Sequence, residues 1–117
     1  MDKNKIKMLE DANIEWTSTL PKLLGKEDIY IKYLKRLLSN KYFDKLTTAL
    51  DCNNCAEAFE LAHTLRGTVG NLGIRRMYDC IAEMTEDLRG GDIDTARLRL
   101  AELTEARDEA FAAIAKI

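Results

Sequence analysis

One segment of the chain holds the residues whose types and spacing could do chemistry: Cys55-Ala56-Glu57-Ala58-Phe59-Glu60-Leu61-Ala62-His63-Thr64-Leu65-Arg66-Gly67-Thr68-Val69-Gly70-Asn71-Leu72-Gly73. His63 is the only histidine. Wound as a helix at roughly 100° per residue, the segment gathers Leu61, Leu65, Thr68 and Leu72 on one side, with Ala58, Ala62 and Val69 extending it. That side is the one a bundle would bury. His63 falls almost opposite and should face water, where its imidazole nitrogens are open to a partner.

The surroundings of His63 are bare. Gly67 lies one turn on, Gly70 two turns on and Ala56 two turns back. A glycine inside a helix costs about 0.5–1 kcal/mol relative to alanine. Placed here, the small residues strip side chains from the ground beside the imidazole, so that a bulky partner can bring a reactive group close. Phe59, one turn earlier, offers an apolar contact for docking or packs against a neighbouring helix, and Ala56, Glu60 and Gly70 complete a candidate docking surface. Arg66, three residues after His63, is within reach across one turn and can pair with phosphoryl oxygens on the imidazole, or with Glu57 or Glu60. The set offers a nucleophile, a cation and an open approach. It lacks a nucleotide loop, a metal cluster and a general base. Such a site suits a substrate of phosphoryl transfer whose partner supplies the metal and the catalytic machinery.

These residues must be held by helices. Period-2 alternation of β-branched and aromatic residues is absent, so no strand is expected. Short N-terminal helices are expected at about 3–11, carrying Ile6 and Leu9, and about 14–24, carrying Trp16 and Pro21, with Gly25 as a C-terminal cap. A long segment follows at about 27–50, with a stripe of Tyr30, Leu34, Leu37, Leu38, Phe43, Leu46 and Leu50. Ser39-Asn40 is a candidate bend or break in it, because both side chains compete for backbone hydrogen bonds. Asn54 caps the histidine helix, about 55–72, which ends at Gly73, with Ile74 folding back towards Val69. The next helix covers about 75–89, with Met77, Ile81, Met84 and Leu88 inward. Gly90-Gly91 ends it, and Asp92 caps the last, about 93–117, with Leu98, Leu100, Leu103, Phe111 and Ile114 supplying apolar surface. Short connections force antiparallel neighbours, so the expected architecture is a single all-α domain over 1–117: an up-down-up-down four-helix bundle with the N-terminal pieces across one end or side.

His63-Thr64-Leu65-Arg66-Gly67 followed by Thr68-Val69-Gly70-Asn71-Leu72-Gly73 resembles the signature of histidine-containing phosphotransfer (HPt) domains: a His, a spacer, an aliphatic residue, Lys and Gly, then small residues and Leu-Gly. The likeness extends weakly from about Leu9 to Ile114. It implies a four-helix bundle without kinase activity, in which His63 takes a phosphoryl group on Nε2 from a receiver-domain aspartyl phosphate and donates it to another receiver. Arg66 stands where the family has Lys, which keeps the charge and changes the geometry, and Gly67 matches directly. The implied partners are receiver domains of response regulators or hybrid histidine kinases, and the implied Mg²⁺ is the receiver's, so no cofactor is expected here. The alternatives are a phosphoacceptor module of a chemotaxis-type histidine kinase and an inert helical adaptor. A chain that begins with Met and shows no nucleotide-binding loop favours a stand-alone carrier.

Composition narrows the field further. The chain has 117 residues, 18 Lys and Arg against 20 Asp and Glu, and a net charge of −2. Without a basic excess it is a poor binder of the nucleic-acid backbone. No apolar run approaches the ~20 residues a membrane helix needs, and no signal-peptide core is present. Three cysteines, an odd number, favour free thiols and a cytoplasmic location. Cys52-Asn53-Asn54-Cys55 has CxxC spacing, but a zinc site with Cys80 and His63 is disfavoured because the pair straddles a helix start. Arg75 and Arg76 are either solvated or in contact with an acidic receiver surface.

Overall fold

The computed structural model describes all 117 residues and is all-helical. Its elements are α1 (Lys3–Asp11), α2 (Trp16–Thr19), a 3-10 helix (Leu20–Leu23), α3 (Glu27–Leu37), α4 (Tyr42–Asp51), α5 (Cys55–Asn71), α6 (Arg75–Arg89), α7 (Ile93–Leu98) and α8 (Leu100–Ile114). No helix is long and apolar enough to cross a membrane.

The helix starts follow from their caps. Asp2 accepts from the Lys5 amide at 2.8 Å to open α1. At α5, Asn54 accepts from the Glu57 amide at 3.2 Å while its own amide group donates to the Glu57 carboxylate at 3.0 Å. Asp92 accepts from the Thr95 amide at 3.1 Å at α7. Each satisfies a backbone donor that has no partner within the helix.

Two long segments divide. The stretch expected at about 27–50 is α3 and α4. Ser39 donates its hydroxyl to the Arg36 carbonyl at 3.2 Å, and Asn40 accepts from the Tyr42 amide at 2.8 Å, so these side chains end one helix and start the next. Leu38, expected in the stripe, lies at this break and is exposed. The stretch expected at about 93–117 breaks at Arg99, which turns to pair with Asp87 and Glu83 of α6, both at 2.5 Å. Leu98 is 82% exposed rather than inward, because the buried stripe runs through Ala96 and Leu103 and leaves it on the outer side, and the inner face of α8 is mostly alanine: Leu103, Ala106, Ala110, Ala113 and Ile114.

Helix α5 packs mainly on α6 and also on α4, while α6 packs on α7 and α8. The core between them includes Leu34, Leu46, Leu50, Leu65, Val69, Met77, Ile81, Met84 and Leu103. The N-terminal pieces close the end of the molecule where α5 turns into α6. There the Glu15 amide donates to the Gly73 carbonyl and the Arg75 amide to the Asn13 carbonyl, both at 2.8 Å, an isolated antiparallel bridge between Ile14 and Ile74. Trp16 stacks on Tyr30 with centroids 4.6 Å apart, and the Tyr30 hydroxyl donates to the Leu72 carbonyl at 2.5 Å. Burial pushes the Tyr30 phenol up to about 12, so it stays a donor. Gly73 has a φ of +73°, and a Cβ there would collide with the Thr19 hydroxyl. The Ile74 amide returns to the Val69 carbonyl at 3.0 Å, completing the turn.

Candidate phosphoacceptor site

The buried stripe of α5 is Ala58, Ala62, Leu65 and Val69, continued by Leu72. It lies slightly to one side of the stripe the sequence suggests, because the helix is wedged between α4 and α6; Leu61 and Thr68 fall at its edges, only partly buried. His63 is on the opposite side and is exposed. Ala56, Glu60, Gly67 and Gly70 are exposed as well.

Phe59 is partly buried against the core, and its ring also lies nearly parallel to the imidazole, with centroids 5.9 Å apart and 17° between planes. Packing and presentation are therefore combined in one residue. The Arg89 guanidinium, from α6, sits 5.0 Å from the Phe59 ring centroid.

The two glycines differ. A Cβ built on Gly67 meets nothing within 4 Å, so nothing inside the protein uses that space. A Cβ on Gly70 would lie 3.0 Å and 3.1 Å from carbons of the Tyr78 ring. Gly70 thus makes room for an aromatic side chain of α6, a packing role that the sequence does not reveal. Tyr78 in turn lies beneath Arg66, whose guanidinium is 5.9 Å from the ring centroid.

Arg66 does not pair with Glu57 or Glu60. Its partner is Glu86 of α6, at 3.6 Å, and Glu86 also accepts from Arg89 at 3.0 Å. Sequence reasoning missed Tyr78, Glu86 and Arg89, since only the register of α6 against α5 brings them to the histidine. His63, Arg66 and Gly67 line one side of an open groove of about 550 Å³, and Lys22, Ser18 and Arg75 line it from the N-terminal pieces and the start of α6. Arg75 and Arg76 carry intrachain partners: Arg75 pairs with Asp79 at 3.1 Å, and Arg76 with Glu105 at 3.5 Å and Glu109 at 3.7 Å.

The three cysteines are free and unlike one another. Cys52 is exposed, whereas Cys55 and Cys80 turn their thiols to the carbonyls of Leu88 and Arg99, at 3.5 Å and 3.6 Å. Burial pushes the Cys80 thiol up to about 11.

His63 thus stands on the outer face of the helices, next to the open space above Gly67 and the Arg66 guanidinium paired with Glu86. The family model of the Hpt domain matches residues 38–113, and the chain belongs to that family. No curated protein and no solved structure matches it. Hpt domains are histidine-phosphotransfer modules of phosphorelay, two-component signalling, and their partners are receiver domains.

Proposed function

We infer that His63 is the phosphoacceptor and that the protein carries a phosphoryl group from one receiver domain to another. The imidazole reacts as the tautomer with its proton on Nδ1. The Nε2 lone pair forms the N–P bond while the P–O bond of the receiver's aspartyl phosphate breaks and its electrons return to the carboxylate. Delivery to the second receiver runs the same step in reverse. The chain supplies an exposed nucleophile, a cation for the transferred group and room for approach. The receiver supplies Mg²⁺ and the groups that stabilise the transition state. No kinase activity of its own is needed for either step.

The observation that carries the reading is the free space above Gly67, one turn from an exposed His63 on a face the bundle does not bury. A glycine that costs helix stability and serves no contact inside the protein is accounted for by a partner that must come close. Ala56, Phe59, Glu60 and Gly70 form the ground on which that partner lands.

The test is a two-step transfer. A receiver phosphorylated on its aspartate is mixed with the protein, the protein is re-isolated, and a second, unphosphorylated receiver is added. Label is expected to move onto the protein and then off it. Label that never leaves the first receiver, or that stays on the protein when the second is added, contradicts the carrier role.

A further inference from the structure

The Glu86 carboxylate bridges two arginines, Arg66 through one oxygen at 3.6 Å and Arg89 through the other at 3.0 Å. Only Arg66 also stands three residues from His63 on the same helix face and lines the same groove. We propose that Glu86 is a positioning residue that holds the Arg66 guanidinium in reserve, and that phosphorylation of His63 draws Arg66 off Glu86 onto the phosphoryl oxygens. This rests on His63 being the acceptor.

The physical basis is a competition for one cation. A long contact to a carboxylate that is 58% exposed is weak and screened. A phosphoryl group carries up to two negative charges and three acceptor oxygens, and a guanidinium can meet two of them at once. The phosphoryl group therefore wins, but against a competitor that lowers its net gain. Glu86 keeps Arg89 when Arg66 leaves, so the exchange does not strand a carboxylate. Arg89 in turn remains over Phe59, leaving the imidazole's stacking partner supported. The consequence is a phosphohistidine that is stabilised, yet less than an unopposed arginine would stabilise it, which suits a carrier that must give the group away.

The other cations on the groove are Arg75 and Lys22. Arg75 is committed to Asp79, and near Glu15 at 4.0 Å. Lys22 is common to every variant below, so it does not enter their comparison.

The experiment uses the full chain phosphorylated with phosphoramidate, in which the donor P–N bond breaks, ammonia leaves and the N–P bond to His63 forms. The second ionisation of the phosphoryl group is then followed by ³¹P NMR. Removing the competitor with Glu86→Gln frees Arg66 to favour the dianion, by about two- to fivefold for an exposed pair, so the midpoint should fall by about 0.3–0.7 in pH. In an Arg66→Ala background the same change should move the midpoint by less than half as much, because only the direct effect of the lost carboxylate remains. Glu86→Asp should restore most of the wild-type value. A midpoint that Glu86→Gln leaves in place, or an equal shift with and without Arg66, overturns the proposal while leaving His63 as the acceptor. Absence of phosphohistidine with both phosphoramidate and a phosphorylated receiver overturns the acceptor reading, and the proposal with it.

Discussion

Replacing Gly67 is expected to stabilise the protein and slow its reaction at once. Gly67 lies inside α5, has ordinary helical backbone, and would present a new Cβ to open space. Gly67→Ala should therefore recover the helix-propensity deficit of about 0.5–1 kcal/mol. In a domain of this size that raises the melting temperature by about 2–5 °C. Gly70→Ala is the internal control, since its Cβ would press on the Tyr78 ring at 3.0 Å and the ring must move, offsetting the same gain. Gly67→Leu keeps a good helix former and fills the space beside His63. A displacement of about 1 Å in the reacting atoms costs roughly a hundredfold, so transfer should slow by about 10- to 100-fold with helix content unchanged. Thermal melts and single-turnover transfer from a phosphorylated receiver measure the two quantities separately. A Gly67→Leu protein that is more stable and transfers at the wild-type rate would refute the idea that the bare surface exists for approach. A destabilised Gly67→Ala would refute the open geometry itself.

Two further outcomes test the scaffold. Tyr30→Phe removes the donor to the buried Leu72 carbonyl and should cost about 1–3 kcal/mol at neutral pH by urea denaturation. Because the folded protein holds the Tyr30 proton up to about pH 12 and the unfolded chain releases it near pH 10, the native state binds more protons in that window. Wild-type stability should thus fall between about pH 10 and 12 by about 2–3 kcal/mol more than that of Tyr30→Phe; parallel curves would contradict the burial of the phenol. Among the thiols, exposed Cys52 should be alkylated first and Cys80 last, at least about a hundredfold more slowly given its raised pKa and burial, as read by mass spectrometry of digested protein.

Much of this was legible in residue order, for identifiable reasons. The histidine helix declared itself because glycine at positions 67 and 70 contradicts helix propensity, and the 3.6-residue period separates His63 from Leu65 and Val69. The break between α3 and α4 was visible in Ser39-Asn40, whose side chains compete locally with the backbone. The break at Arg99 was not, because Leu98-Arg99-Leu100 has good local propensity and Arg99 is held by Asp87 and Glu83 from another helix. The same limit hid the partners of Arg66. A helical wheel gives the neighbours on one helix, Glu57 and Glu60, and nothing of Glu86, which arrives only when α6 packs in register. Gly70 shows the mixed case: its missing side chain was evident, whereas its occupant, Tyr78, was not. The N-terminal wall of the groove, with Lys22 and Ser18, depends on the Ile14–Ile74 bridge, a long-range pairing without a local signature.

One labelling experiment tests His63 as the phosphoacceptor most directly. Wild-type protein and His63→Gln, matched for helix content by circular dichroism, are each incubated with a receiver carrying labelled aspartyl phosphate. The wild-type chain should acquire label that acid removes and alkali does not, the lability of a phosphoramidate bond, and the variant should acquire none. Equal labelling of a folded His63→Gln protein would place the phosphoryl group elsewhere and contradict the account.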